Sequence, residues 1–307
     1  MEETPASASS SSSSSFDDAI SVIGIVSPTG TNAGPLDDAS IPDSIVAEYE
    51  RDGAVALRGV IPMHWIERLR EGVEQNMREP GPYAKRYTPD GKPGLFFGDY
   101  CNWRRIPAYR EFLLDGPVGA LAARLMRSRR VNLFHEHVLV KEPGTAEPTP
   151  WHHDQPYWSV DGRQVMSFWI PLDPVGRETC VEYVAGSHLS GIWYSPKRFA
   201  DAKAHPAKDP NFRDVPDIDA DRGAYRLLGW DVEPGDCIAF HALTLHGAPG
   251  NRGSQRRRAF AARVTGDDAV FVLRDGFMSP PPPADAPPSG TPMAAPAFPG
   301  IWPRPAG

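Results

Sequence analysis

The sequence predicts a mainly β fold in which helices come first and an antiparallel β-sandwich or barrel follows. From Arg130 onward, short runs rich in β-branched and aromatic residues alternate with turn residues such as PGT, DG and PGN. No regular helical pattern separates these runs, which argues against a parallel α/β sheet. The predicted strands are VNLFHEHVLVK, QVMSFWIPLD, TCVEYVAGS, DCIAFHALTLH and RRAFAARVTG.

Three helices and one strand are predicted before this β region. The segment IPDSIVAEYERDG indicates a short helix, and AVALRGV indicates a strand after it. PMHWIERLREGVEQNM has large apolar residues at intervals of four, which is typical of a helix that buries one face: Trp65, Leu69, Val73 and Met77. PVGALAARLM indicates a further helix. We expect these helices to form one unit with the strands.

The two ends of the chain differ in composition from the middle. Residues 1–40 are rich in Ser, Gly and Pro, and we expect them to be disordered because they cannot bury enough apolar surface. Residues 279–307 form a proline-rich tail that ends in FPGIWP. Its apolar residues Phe298, Ile301 and Trp302 would be costly to leave in water, so this end is predicted to dock on the domain, which spans 41–278.

Composition and charge narrow the possible partners and location. The net charge of -7 argues against a nucleic-acid partner, because phosphate binding favours a basic surface. The three cysteines are far apart and include no C-x-x-C, so a reducing compartment is expected. No apolar run reaches the roughly 18 residues of a membrane helix, and no secretory signal is recognised. We therefore expect a cytoplasmic protein; the oligomeric state is not predicted.

The stretch TPWHHDQPYW places two histidines next to an aspartate. On an extended segment, side chains two residues apart point the same way, so His152 and Asp154 can reach one ion while His153 faces away. The third ligand is expected on a neighbouring strand, where His246 is favoured over His241 because it ends the apolar run before a turn. Two histidines and one carboxylate form the facial triad of non-haem Fe(II) oxygenases.

An isolated H-x-D is common by chance, so its companions decide the interpretation. Arg257 follows His246 by eleven residues, and an antiparallel return strand would turn it toward the same cavity. A guanidinium there suits a carboxylate such as the distal end of 2-oxoglutarate, whereas Arg256 or Arg258 is expected to be solvated. The strand HEHVLVK presents one face that suggests a polar cavity, with His135, His137, Leu139 and Lys141.

Four motifs together resemble the phytanoyl-CoA dioxygenase family of Fe(II)/2-oxoglutarate-dependent oxygenases: PWHHDQPYW, VMSFWIPLD, VEYVAGSH and AFHALTLHGAPGNRGSQRRRA. The resemblance extends from about Glu48 to Thr265. It implies a double-stranded β-helix, that is, a cupin-like jelly roll with helices packed outside. It also implies hydroxylation of a small organic substrate, lipid-like or a secondary metabolite, using O2 and 2-oxoglutarate and releasing succinate and CO2.

The resemblance also implies roles for individual residues. The iron ligands would be His152, Asp154 and His246. Three residues would contact 2-oxoglutarate: Arg257 at its far carboxylate, Trp169 beside it, and His137. The family often has a serine at the position of Ala248, so one hydrogen bond to the cosubstrate is expected to be missing. Asp154 argues for hydroxylation, because related halogenases have a small residue there.

The substrate pocket is predicted from aromatic residues near the H-x-D motif. Tyr157 and Trp158 follow it directly, and the segment LFFGDYCNWRR, treated as a loop, adds Phe97 and Trp103. Aromatic walls suit a mostly apolar small molecule. Two other functions are left open by the residues. One is a non-catalytic jelly-roll protein that binds a small molecule; the other is a zinc hydrolase, although the expected H-E-x-x-H motif is absent.

Overall fold

The computed structural model describes residues 41–196, 211–275, 277–294 and 296–304. The predicted disordered segment 1–40 lies outside these residues. The helices are α1 (Asp43–Asp52), α2 (Met63–Arg78), α3 (Pro107–Asp115) and α4 (Val118–Met126). The strands are β1 (Ala54–Leu57), β2 (Lys85–Arg86), β3 (Phe96–Tyr100), β4 (Val131–Lys141), β5 (Thr149–His152), β6 (Val160–Asp161), β7 (Val165–Pro171), β8 (Glu182–Val184), β9 (Leu227–Leu228), β10 (Cys237–His241), β11 (His246–Ala248), β12 (Arg257–Thr265), β13 (Val270–Phe271) and β14 (Gly300–Trp302).

Two antiparallel sheets enclose a cavity between them. The larger sheet has the order β1-β10-β7-β12-β4-β3-β2, and β14 also pairs with β4. The smaller sheet has the order β5-β11-β8-β9, and β13 and β6 form a separate ribbon. Residues of both sheets line the same cavity. The predicted mainly β fold with flanking helices is confirmed, and its architecture is a jelly roll.

The helices cover the outer face of the larger sheet. On β12, every second residue packs into the main core beneath them: Phe260, Ala262 and Val264. The Phe260 ring lies 4.9 Å from that of Tyr109 and 5.7 Å from that of Phe112, both on α3. Because side chains alternate along a strand, the residues between these buried ones point into the cavity.

Most predicted elements are present, and the differences concern where strands begin, end or change sheet. The helices α1, α2 and α4 and the strands β1, β4, β7, β8 and β12 lie where the patterns indicated. Helix α3 was not predicted; it is short and begins with Pro107 in its first turn. The segment LFFGDYCNWRR was treated as a loop, yet its first half is strand β3, which pairs with β4.

The run DCIAFHALTLH was predicted as one strand, and the structure divides it in two. Strand β10 ends at His241 in the larger sheet, and β11 begins at His246 in the smaller one. A turn joins them, in which Thr244 N–H donates to the His241 carbonyl at 2.8 Å. The apolar run continues through this turn because Ala242 and Leu245, which belong to the turn, are buried. The change of sheet is what separates His246 from His241.

The end of the tail lies against β4. Strand β14 pairs with the start of β4, and Asn132 Nδ2 donates to the Phe298 carbonyl at 2.9 Å. Phe298 is 1% exposed and packs against Phe134 and Phe271. The segment FPGIWP therefore contributes to the core. Within the described parts of the chain, no helix combines the length and apolarity needed to cross a bilayer.

Phe298→Ala should lower the free energy of unfolding by about 3–5 kcal/mol, because it leaves a cavity in a packed core. Leu273→Ala is the control, since Leu273 is 59% exposed and its loss should change stability by about 0.5 kcal/mol or less. Urea denaturation of both variants measures the difference. Equal stabilities would contradict the role given to the tail.

Candidate active site

His152, Asp154 and His246 meet at one point between the sheets. One ligand atom from each lies within 4.8 Å of the others, and all three side chains are buried. The Asp154 Oδ1 atom is 3.5 Å from His152 Nε2 and 3.9 Å from His246 Nε2. His152 is the last residue of β5, and His246 is its direct partner on β11. Strand pairing in the smaller sheet therefore places the two imidazoles side by side.

Asp154 reaches this point by a different backbone path from the predicted one. The extended-segment argument is wrong, because β5 ends at His152 and Asp154 adopts helical angles (φ -77°, ψ -43°) before the 3-10 helix Gln155–Tyr157. The Asp154 N–H donates to the Ala242 carbonyl at 2.8 Å, which fixes this turn. His153 points away and accepts a hydrogen bond from the Tyr194 N–H at 2.8 Å through Nε2.

Backbone carbonyls orient both histidines. His152 Nδ1 donates to the Pro150 carbonyl at 2.7 Å, and His246 Nδ1 donates to the Thr244 carbonyl at 2.9 Å. Because a carbonyl only accepts, each Nδ1 carries a proton, and each Nε2 is the ring atom that faces the cluster. Burial, with a contribution from His152, lowers the pKa of His246 to about 3, so this imidazole is neutral at ordinary pH.

The two oxygens of Asp154 have different partners. Oδ1 faces the imidazoles, whereas Oδ2 accepts a hydrogen bond from Ser167 Oγ at 3.2 Å and lies 3.9 Å from Arg263 Nε. Burial alone would raise the pKa of Asp154, but Arg263 and the two histidines outweigh it and hold that pKa well below its usual range. Two imidazoles and one carboxylate are the donor set that suits Fe(II), so these residues fit the expected metal.

A cavity of about 390 Å³ surrounds the cluster. The face of β4 lines it as predicted, with His135, His137, Leu139 and Lys141. The inner face of β12 lines it with Arg257, Ala259, Ala261 and Arg263. The two alanines leave open space between two arginines, so the cavity has a cation at each end of β12.

Arg257 lies in the same cavity as the three candidate metal ligands. Its guanidinium donates to the Thr179 carbonyl, and its strand partner is Lys141, whose ammonium lies 4.4 Å from the centre of the Phe96 ring. Burial lowers the pKa of Arg257 to about 10, so it stays charged at neutral pH, and burial also lowers the pKa of Lys141. Trp169 on β7 also lines the cavity.

The neighbours of Arg257 in sequence point away from the cavity and form ion pairs. Arg256 pairs with Glu74 and Glu142, at 2.7 and 2.6 Å. Arg258 pairs with Asp173 at 2.7 Å. Only the middle arginine of the RRR run faces the cavity, because consecutive strand residues alternate.

The sequence reasoning did not single out Arg263. It is 7% exposed, lines the cavity, and lies over the Trp158 ring with its guanidinium carbon 5.5 Å from the centroid. The spacing could have identified it. Arg263 is six residues after Arg257, and residues an even number of positions apart on a strand point to the same face. Phe277 and Ser279 of the tail region, also missed, line the same cavity.

The predicted substrate residues divide into two groups. Tyr157 and Trp158 line the cavity. The assignment of Phe97 is wrong, because the alternation of β3 turns it into the main core and presents Phe96 and Tyr100 to the cavity instead. The assignment of Trp103 is also wrong, because it packs against the main core outside the cavity.

The chain is similar to proteins of one family. The sequence pattern described as phytanoyl-CoA dioxygenase matches residues 49–259. A probable phytanoyl-CoA dioxygenase of Caenorhabditis elegans is 22% identical over 249 residues, which are 72% of this chain and 74% of that protein. The peroxisomal phytanoyl-CoA dioxygenase of Homo sapiens is 20% identical over 250 residues, 73% and 68% of the two chains.

A solved structure shares the fold at similarly low identity. The epimerase SnoN from nogalamycin biosynthesis, in complex with Fe3+, alpha ketoglutarate and nogalamycin RO, superposes with a TM-score of 0.66 and 21% identity. The match covers 84% of this chain and 98% of that one.

His152→Ala, Asp154→Ala and His246→Ala should each abolish the rise in melting temperature that Fe(II) or Co(II) causes, because metal binding to the folded state stabilises it. His153→Ala is the matched control and should keep that rise, since its ring points away from the cluster. Thermal unfolding with and without metal, under anaerobic conditions, measures both. Loss of the metal effect in His153→Ala alone would contradict the ligand set.

Ser167→Ala should weaken metal binding by about tenfold or more, because it removes the hydroxyl that anchors Asp154 Oδ2. Ser159→Ala is the control, since the buried Ser159 hydroxyl has no hydrogen-bond partner among the described residues. Calorimetric titration with Co(II) compares the affinities. Equal effects of the two substitutions would show that the Ser167 contact does not orient Asp154.

Proposed function

The chain belongs to the phytanoyl-CoA dioxygenase family and is an oxygenase that depends on Fe(II) and 2-oxoglutarate, and we propose that it hydroxylates a small, largely apolar organic molecule. The observation that carries the proposal is the position of Arg257, which lies in one cavity with His152, Asp154 and His246. A triad alone suits several metals, whereas a triad with a buried cation at a distance suits a metal-bound dicarboxylate.

Three residues would hold the metal. His152 and His246 would bind through Nε2, and Asp154 through Oδ1, the oxygen that faces both imidazoles. When bound, Fe(II) with 2-oxoglutarate and O2 supplies the oxidising chemistry, which converts 2-oxoglutarate to succinate and CO2 and inserts oxygen into a substrate C–H bond. The protein keeps the ligand atoms fixed before metal arrives, since Pro150, Thr244 and Ser167 hold them in place.

The far carboxylate of 2-oxoglutarate would bind at Arg257. Lys141 lies directly opposite on β4, and a carboxylate between them would favour the charged form of that lysine. Trp169 would form the wall beside the cosubstrate. His137 lies four residues from Lys141, about 13 Å along β4, so its contact would be with the metal end of the cosubstrate. Ala248 offers no hydroxyl, which leaves the carboxylate to Arg257 and Lys141.

The substrate would lie on the other side of the metal. Tyr157 and Trp158 form an aromatic wall there, to which Phe277 at the end of the domain and Ser279 at the start of the tail contribute. Such a wall favours an apolar body, as in a lipid-like molecule or a secondary metabolite. We also propose a reducing compartment such as the cytoplasm, which the free thiols of Cys101, Cys180 and Cys237 support.

The test of the proposal is oxygen-dependent succinate formation. Protein loaded with Fe(II) and 2-oxoglutarate without O2 should form succinate when O2 is admitted, and a substrate should increase the yield. A non-catalytic binding protein would form none, and a zinc hydrolase would act without O2. Absence of both 2-oxoglutarate binding and succinate would overturn the proposal.

Arg257→Met should weaken 2-oxoglutarate binding by about 10–100-fold, because it removes charge-assisted hydrogen bonds to the far carboxylate. Arg258→Met is the matched control on the same strand, since Arg258 faces outward to Asp173 and should leave the affinity unchanged. Calorimetric titration of the metal-loaded variants without O2 measures both affinities. Equal losses in the two variants would contradict the assignment of Arg257.

A further inference from the structure

Arg263 is a buried cation whose hydrogen-bonding capacity is largely unused. Its Nε and Nη1 atoms have no hydrogen-bond partner within the described part of the chain. Its Nη2 atom lies 3.5 Å from His137 Nδ1, which is the outer limit of a hydrogen bond. A buried charge without partners is unfavourable, so the site is arranged for a partner that arrives from outside.

Asp154 does not fill this role. Its Oδ2 atom is 3.9 Å from Arg263 Nε, beyond hydrogen-bond distance, and already accepts from Ser167. Its Oδ1 atom faces the imidazoles, where a metal would draw on its charge. The other acid near Arg263 is Glu136, which accepts the backbone N–H groups of Asn102 and Trp103. Among the described residues, Arg263 therefore has no anion within hydrogen-bond distance.

Two histidines beside Arg263 add unused polar atoms. His135 Nδ1 and His137 Nε2 are buried and have no hydrogen-bond partner among the described residues. Burial, and then the nearby charge of Arg263, lower the pKa of both, so both are neutral and each keeps one N–H to donate. Besides Arg263, this region of the cavity therefore contains buried polar atoms that a bound ligand can contact.

Most of the charged residues that line the cavity are cationic. The cationic side chains that line it are Lys85, Arg86, Lys141, Arg257 and Arg263, and Asp154 is the single carboxylate among its described lining residues. A cavity of this kind attracts anions. The far carboxylate of one 2-oxoglutarate molecule would occupy the end of the cavity at Arg257 and Lys141.

The far carboxylate of that cosubstrate does not reach Arg263. Six residues of β12 separate the two arginines, about 20 Å along the strand. Their surroundings differ as well, because Arg257 donates to Thr179, whereas Arg263 lies over Trp158. Trp158 belongs to the wall assigned to the substrate, so the anion that pairs with Arg263 arrives on that side.

We propose that Arg263 binds a carboxylate of the substrate, and that the substrate is therefore an organic acid with an apolar body. The inference rests on the proposed function, because it divides the cavity into a cosubstrate side and a substrate side. The Arg263 guanidinium binds the carboxylate, and Tyr157 and Trp158 contact the apolar body. Arg263 thus selects the substrate and sets its position relative to the metal ligands.

The experiment compares matched acids and amides. Protein loaded with Fe(II) and 2-oxoglutarate, kept without O2, is titrated with a series of ω-phenylalkanoates of three to eight carbons and with their primary amides. At least one acid should bind tenfold or more tightly than its amide, which has the same shape without the charge. If no acid exceeds its amide, the proposal is overturned.

Substitutions assign that preference to Arg263. Arg263→Met should weaken binding of the preferred acid by about 10–100-fold and leave its amide unchanged, because hydrogen bonds to a charged group are lost. Arg263→Lys should restore part of the preference. Arg256→Met is the control, since Arg256 pairs with Glu74 and Glu142 outside the cavity, and it should keep the full preference. If Arg263→Met does not fold, the lysine variant and the acid–amide ratio of the unaltered protein decide the question.

Two further readouts separate other roles of Arg263. If it only balances the charge of Asp154, Arg263→Met will change the affinity for Co(II) and leave the acid–amide ratio unchanged, which overturns the proposal. If it binds the near carboxylate of the metal-bound cosubstrate, Arg263→Met will weaken 2-oxoglutarate binding and leave the acid–amide ratio unchanged, which also overturns the proposal. If it binds a second cosubstrate, the unaltered protein will take up two molecules of 2-oxoglutarate instead of the expected one, which overturns it as well. A matched phosphonate that binds more tightly than the carboxylate would overturn the choice of anion. Failure of the proposed function differs from all of these, because 2-oxoglutarate binding and succinate formation would then be absent.

Discussion

The packing of β12 against the helix layer is the constraint on which the rest of the cavity depends. Phe260 and its alternate neighbours are fixed beneath α3, so the pleat presents both arginines and the two alanines to the interior. A shift of one residue in the register would bury the arginines among aromatic rings and expose apolar residues to the cavity. Hydrophobic burial on one face of a strand thus determines where charge lies on the other.

The candidate metal centre depends on the smaller sheet in a comparable way. Pairing of β5 with β11 sets the two imidazoles beside each other, and a turn held by the Ala242 carbonyl adds Asp154. Carbonyl groups fix the proton of each imidazole on Nδ1. The ligand atoms are therefore oriented by the backbone, which is more rigid than a network of side chains.

Residue identity and spacing predicted the triad and Arg257. The direction of side chains near turns depends on backbone angles and strand register, which spacing alone does not give. Asp154 meets His152 through a helical turn, and an extended segment would have given the same pair. Phe97 and Phe96 differ by one position, and only the register of β3 with β4 decides which faces the cavity. Arg263 was missed because a lone arginine near a strand end suggests a solvated residue until the opposite face is known to be buried.

The tail contributes to the cavity from outside the segment that matches the family pattern. Its described part closes one side of the cavity: Ser279 Oγ donates to the Tyr100 hydroxyl at 3.1 Å, and the Ser279 N–H donates to the Tyr157 carbonyl at 2.7 Å. These residues follow the segment 49–259 that matches the family pattern. The candidate metal ligands and the closing segment thus lie in different parts of the chain, so a substitution in the closing segment can change the wall of the cavity without replacing a metal ligand.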